Sequence, residues 1–375
     1  MQTTRQIVRG LLLALGVLAV SADAAAPPHP LTAIQPKSYV SYRAGGPITV
    51  DGHLDEPSWL RAEWMEDFTH IEGKTVKVAP SLRTRVKLVW DDEFLYLGAD
   101  IEEPHVWATL SERDATIYHD NDFEVFIDPD GDTHEYWEVE VNALGTVWDQ
   151  FVVRPPRDGG TSLTASDLSG LETKVMIWGT LNDPSDLDEG WSLEMAIPWS
   201  AVKQGAHQRT PPQEGDYWRM NFSRVEWSVD VDANGRGYEK IPGRHEQTWS
   251  WSPQGLVDMH YPEQWGFIHF TQSEAGSRVV QAVVPPEEEA KRILREIYYR
   301  QVEFRRENGV YAVHLDSLGV EHRILRNFLW PPHLAIGDYG FEAWLEEVTD
   351  LNGDGNISRW IIRQDSKTMK VQLPD

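Results

Sequence analysis

Apolar and polar positions alternate in short runs along most of the chain. In 85–90 (RVKLVW), Val86, Leu88 and Trp90 fall on one side of an extended segment. A two-residue period of this kind is that of a half-buried strand. Strand-like runs follow at 94–101 (FLYLGADI), 123–128 (FEVFID), 135–143 (EYWEVEVNA) and 146–152. Others lie at 173–178, 191–197 (WSLEMAI), 217–227 (YWRMNFSRVEW) and 265–270, with Asp, Gly, Pro and Asn between them. Many short strands with such punctuation predict a mainly β protein, an antiparallel β-sandwich, over 48–272. No sustained βα alternation is present, which excludes a Rossmann or barrel architecture.

The pattern changes after Pro285-Pro286. Three glutamates lead into Ala290, Ile293, Leu294, Ile297 and Tyr298, spaced as one face of a helix, with Arg305-Arg306 near its end and Asn308-Gly309 as the stop. Two strand-like runs, 341–348 and 357–363, flank an Asp/Asn/Gly-rich loop. These features predict a small α+β C-terminal extension over 285–375. At the other end, Arg5 and Arg9 precede an apolar run at 10–20 and small residues around Ala22-Asp23-Ala24. That is the form of a secretory signal peptide over 1–24, too short to span a bilayer, and it predicts export to the periplasm or medium. Residues 25–47, with Pro, Gly and Ser and little periodicity, read as a linker.

Charge narrows the partners. The 375 residues carry 34 Lys and Arg against 60 Asp and Glu, a formal net charge of −26. Nucleic acid and anionic lipid need clustered cations, so neither is an expected partner, whereas neutral polyols and cations are compatible. There are no cysteines, which rules out thiolate chemistry, and 17 tryptophans, some of which are candidates for ligand platforms.

The strongest local anomaly is 114–153, which has no Lys or Arg although ten carboxylates fall between Asp120 and Asp149. Within EYWEVEVNA, Tyr136, Glu138, Glu140 and Asn142 share one face and Trp137, Val139, Val141 and Ala143 the other, while Glu124 opposes Phe123, Val125 and Ile127. Three readings fit such a face: a solvated surface, a hard-cation site, or a grip on hydroxylated ligands, since charged acceptors bind vicinal hydroxyls well. A second cation candidate is the loop DLNGDGNIS, where Asp350, Asn352 and Asp354 supply calcium-type oxygens and Gly355 the turn. Ile361 stands where the last bidentate acid of an EF-hand loop belongs, and a plain hairpin turn explains the same letters.

Five segments in order resemble family 9 carbohydrate-binding modules: ITVDGHLDEPSW (48–59), VKLVWDDEFLYLGADIEEP (86–104), DNDFEVFIDPDGD (120–132), EVNALGTVWD (140–149) and MHYPEQWGFIHF (259–270). The stretches NFSRVEW and TWSWSPQG are similar to a stand-alone, exported branch of that family. The resemblance implies a β-sandwich that binds polysaccharide ends or small sugars between two tryptophans, with nearby acids, an Arg and an Asn, and with structural calcium. By position it places Tyr118 at the first ring, six residues before Glu124, and Glu103 at the acid of EEP. Glu140 stands where the family has Arg, and Met259 where it has the second Trp. Asn142, on the same polar strand face, and Trp251, close to the second ring but out of register, complete the candidate set.

The expected function is therefore non-catalytic binding of oligo- or polysaccharide in support of polysaccharide breakdown, with calcium as the candidate ion. Alternatives are hydrolysis of O-glycosyl bonds, which needs two carboxylates about 5–10 Å apart, and haem binding through Met220, Met259 or His260. No Gly-x-Ser-x-Gly, His-Glu-x-x-His or haem-attachment motif occurs.

Overall fold

The computed structural model describes residues 29–76, 79–206 and 208–373, so the leader expected over 1–24 lies outside the described residues. Among the described residues no helix is long and apolar enough to cross a membrane. The strands in chain order are β1 (Ser38–Arg43), β2 (Thr69–His70), β3 (Thr84–Trp90), β4 (Phe94–Glu102), β5 (Asp122–Asp128), β6 (Tyr136–Asn142) and β7 (Val147–Val152). Then come β8 (Ser162–Leu163), β9 (Glu172–Trp178), β10 (Gly190–Pro198), β11 (Tyr217–Glu226), β12 (Val229–Val231) and β13 (Tyr238–Lys240). The last are β14 (Gln247–Ser250), β15 (Gly266–Glu274), β16 (His333–Ile336), β17 (Phe341–Glu346), β18 (Ser358–Arg363) and β19 (Thr368–Gln372).

One large sheet runs β8-β7-β6-β5-β11-β15-β1-β3-β4-β10-β9, with β14 and β2 attached beside β11. It folds over at β1, because the inner faces of its two halves share one core: Val86, Leu88 and Trp90 of β3 and Leu193, Met195 and Ile197 of β10 pack with Val125, Val139 and Phe222 from the other half. Each such fully buried side chain contributes about 1.5–3 kcal/mol. The expected antiparallel sandwich is thus present with one exception, since β1 runs parallel to both β15 and β3.

That exception also corrects the linker expected over 25–47. Ser38–Arg43 is an interior strand, with Tyr39 and Ser41 buried. A six-residue strand with only one large buried apolar side chain leaves little periodicity to read. The motif at 48–59 is pinned to the outer face of the second half. Glu194 on β10 accepts from the Trp59 indole at 2.8 Å and from the Asp51 and Gly52 backbone N–H groups at 2.9 and 3.0 Å.

The extension is one helix, Glu288–Asn308, laid on a four-stranded antiparallel sheet, β16-β17-β18-β19. Its apolar stripe (Ala290, Ile293, Leu294, Ile297) packs on Phe341, Ala343, Leu345 and Ile362. Gly309, at φ 77°, ends the helix in a left-handed turn that a side chain would strain. Against the sandwich the helix presents charge: Arg295 bonds Glu288 at 3.0 Å and Lys291 reaches the Gly131 carbonyl at 3.2 Å. Tyr217 of β11 donates to Glu287 at 2.6 Å, and Tyr299 donates to Glu263.

Candidate functional site

Register brings the acids together. Pairing of β5 with β6 sets Glu124 opposite Glu140, Asp122 opposite Asn142 and Phe126 opposite Glu138. Pairing of β6 with β7 sets Glu140 opposite Trp148 and Glu138 opposite Gln150. On the other side, β11 places Ser223 opposite Glu124 and Val225 opposite Asp122. Because strand side chains alternate, the whole set lies on the face turned away from the sandwich core.

That face is not open to solvent. Asp122, Glu124, Glu138 and Glu140 are all buried, so the solvated-surface reading of the acidic stretch is overturned. The segment after β14 folds across it. Met259 packs with Ile71, Phe126, Tyr136 and Trp265, its carbonyl accepts from the Trp265 indole at 2.8 Å, and His260 Nδ1 lies 2.8 Å from the Tyr136 hydroxyl. Between cover and floor lies a cavity of about 330 Å³. Its floor is Glu124, Glu138, Glu140 and Gln150, its cover Val257–His260, and its edge carries Tyr118 and Trp148. Among the described residues no Lys or Arg lines it.

Local bonds hold these groups. Tyr118 rides on a short 3₁₀ turn whose backbone N–H donates to Glu140 Oε2 at 2.9 Å, and its carbonyl accepts from the Trp227 indole at 2.8 Å. Its ring is 38% exposed and lies 6.4 Å from that of Trp148, centroid to centroid. The Ser223 hydroxyl donates to Glu124 and the Gln150 amide to Glu138. Crowding shows in the ionisation. Burial, reinforced by Glu138, pushes Glu124 up to about 8. Asp122 is raised well above its usual range by burial and then by Glu124, and Glu140 by burial, Glu124 and Asp122.

Of the residues expected from sequence, Tyr118, Glu124, Glu140 and Met259 meet in this cavity. Glu103 does not. It is buried in an ion pair with Arg224 at 2.8 Å and accepts from Asn121 and from the His105 backbone. Asn142 is structural: it donates to Asp120 at 3.0 Å and the Leu110 carbonyl at 2.8 Å, and accepts from two backbone N–H groups of the β6–β7 turn. Trp251 is 1% exposed within the sandwich core, so it is no ligand platform. In the 350–356 loop, Asp350 accepts from the backbone of Asn352, Gly353 and Gly355, and Asn352 donates to Asp354, the bonding of a closed hairpin turn. The acid groups with metal-compatible spacing lie elsewhere: Asp114/Asp149/Asp167, Asp122/Glu124/Glu140 and Asp128/Asp130/Asp132.

Sequence reasoning passed over Trp148, Gln150 and, apart from Met259, the covering segment; Glu138 was assigned to the right face but not to the candidate set. For Trp148 and Gln150 the signal was present, because Val147 and Phe151 point to the core and the intervening positions to the acids' face. The rest of the cover had none, since Glu246–His260 reaches the floor only through tertiary packing.

Part of the chain is similar to known proteins. Residues 50–215 match the family model described as carbohydrate family 9 binding domain-like. This segment is therefore similar to that family. The matched span includes β3 to β10 and therefore the acidic floor. An Exoglucanase XynX of Acetivibrio thermocellus is 25% identical over 158 residues, which is 42% of this chain and 12% of that protein's length. A Bacteroides uniformis structure is similar at 20% identity and TM-score 0.45, over 63% of this chain and 100% of that one. A family 9 module from Caldicellulosiruptor kristjanssonii, solved with cellotriose, is similar at 18% identity and TM-score 0.40, over 65% of this chain and 100% of the module.

Proposed function

We propose that this is an exported, non-catalytic carbohydrate-binding protein that takes a small sugar or a polysaccharide end into the cavity beneath Met259 and His260, in support of polysaccharide breakdown. The observation that carries this reading is the joint lining of one hollow by carboxyl and amide groups (Glu124, Glu138, Glu140, Gln150) and by two half-exposed rings, Tyr118 and Trp148. A volume of about 330 Å³ falls in the range of roughly 300–1,000 Å³ found for small-ligand sites. The match of residues 50–215 to a carbohydrate-binding family model supports the ligand class.

The chemistry is that of holding rather than transforming. Carboxyl groups bond hydroxyls at about 1.5–3 kcal/mol each when charged, and the rings cover the sugar's C–H face at about 0.5–1.5 kcal/mol per contact. The Met259 thioether, where a second ring was expected, supplies a soft apolar wall. Trp148, its ring centroid 6.4 Å from that of Tyr118, supplies the second ring. The two-ring arrangement is thus built from β7 rather than from the segment before Pro262.

Isothermal titration with a panel of soluble mono- and oligosaccharides tests the reading. Saturable binding by at least one sugar, weakened about 3- to 10-fold by Tyr118→Ala and again by Trp148→Ala, is expected from the loss of one ring contact each. Absence of a saturable response across the panel, or affinities indifferent to both substitutions, would overturn it.

A further inference from the structure

We propose a divalent-cation site of the calcium class at one end of the cavity floor, held by Glu124 and Glu140 of the floor together with Asp122 beside it. One carboxylate oxygen from each lies within 4.8 Å of the others. Oxygens bound to one calcium ion at 2.3–2.6 Å can be no more than roughly 5 Å apart, so the spacing is compatible with a common ion.

The hydrogen bonding leaves one of these groups short of a partner. Each carboxylate is anchored through one oxygen. Asp122 Oδ1 accepts from the Val225 backbone at 3.1 Å, Glu124 Oε2 from the Ser223 hydroxyl, and Glu140 Oε2 from the Tyr118 backbone at 2.9 Å. The second oxygen of Asp122 is buried and accepts nothing, in a residue that is 0% exposed. A buried acceptor left without a donor is costly, and for a charged group more so. A cation at the meeting point of the three removes both that cost and their mutual repulsion.

Among the described residues no side-chain cation does this work. The neighbouring charges are Asp120, just before β5, and Glu138 of β6, and those on the cover are Glu246 and Asp258. Arg224 of β11 is spent on Glu103 and Glu226, both at 2.8 Å, and Lys240 sits 3.4 Å over the Trp227 ring. The other acid groups differ. Asp128 uses both oxygens on the Gly131 and Thr133 N–H groups and Asp132 pairs with Lys367 at 3.0 Å, while Asp149 and Asp167 share Arg113. Three carboxylates beside an open cavity suit calcium, which takes 6–8 oxygens in irregular geometry, better than magnesium, which demands a tight octahedron. Water, or the hydroxyls of a sugar if the function proposed above holds, completes the shell.

The test is calcium titration of the metal-free full chain by calorimetry, with terbium luminescence as a second readout, on wild type, Asp122→Asn and Glu140→Gln. Saturable binding by wild type is expected, weakened at least 30-fold in both variants. Wild-type melting temperature should rise with millimolar calcium but not with sodium chloride of equal ionic strength, a readout that holds even if a variant folds poorly. No saturable ion binding by wild type, or binding of unchanged affinity in both variants, would overturn the proposal. Sugar titrations run separately distinguish the two readings. An ion response without a sugar response supports the cation site and refutes the carbohydrate function, and a sugar response without an ion response does the reverse.

Discussion

Replacing Glu288 with Gln probes how the extension is fastened to the sandwich. The carboxylate is buried, with Arg295 at 3.0 Å and Lys291 at 3.6 Å, and Arg219 of β11 adds a third cation. Burial alone would raise its pKa, but these three cations outweigh it and bring the group down to about 2 from an ordinary 4.5. At about 1.4 kcal/mol per pH unit, that difference is worth about 3 kcal/mol of folding free energy. Breaking a buried ion cluster from one side costs a similar 3–5 kcal/mol, because the remaining charges stay buried without a counter-ion. The sign follows from the lowered folded value. The contribution is complete above pH of about 4.5, where the unfolded chain is also ionised, and disappears as pH falls through about 2. Urea unfolding at pH 7 should therefore show Glu288→Gln less stable by about 3 kcal/mol, or an earlier separate transition for the extension. The gap between variant and wild type should narrow steadily below about pH 4.5. A difference under 1 kcal/mol at neutral pH, or one that persists undiminished near pH 2, would refute the reasoning.

Other expectations are as direct. Glu103→Gln should lower the melting temperature, since Arg224 loses a buried partner, while sugar affinity of the folded variant stays within about twofold; a selective loss of affinity would restore Glu103 to the site. In Gly266→Ala the new methyl would lie 2.1 Å from the Trp251 ring, so thermal unfolding should report a loss of at least about 1–3 kcal/mol. Asp350→Ala removes the acceptor of three backbone N–H groups in an exposed turn and should cost the extension about 1 kcal/mol, with no change in calcium affinity by calorimetry.

Much of the architecture was legible because it is written in period two. The runs at 85–90, 94–101, 123–128, 146–152 and 191–197 became β3, β4, β5, β7 and β10 within a residue or two. The division of 135–143 into Trp137/Val139/Val141/Ala143 against Glu138/Glu140/Asn142 is the division between core and cavity face. Glycine and basic residues at the end of 288–308 marked the helix equally well. What could not be read was tertiary. SYVSYR looks like linker because its hydrogen-bonding partners, β15 and β3, lie far away in sequence. A solvated face stayed among the readings of the acids because the cover that buries them arrives from 246–260. Glu103 and Trp251 share the chemistry of site residues but were claimed by Arg224 and by the core, and in neither case does residue type reveal which neighbour will be met. Strands β16 and β19 were missed for a related reason, since short edge strands of a small sheet have only half-buried faces and weak alternation.

A crystal structure with a bound sugar would decide the central point most directly. The account predicts the sugar under Met259 and His260, its ring against Tyr118 or Trp148 and its hydroxyls within hydrogen-bonding distance of Glu124 and Glu140. Sugar bound instead at a separate hollow, such as the one of about 610 Å³ beside the half-exposed Trp178, with the acidic cavity left to solvent, would contradict it.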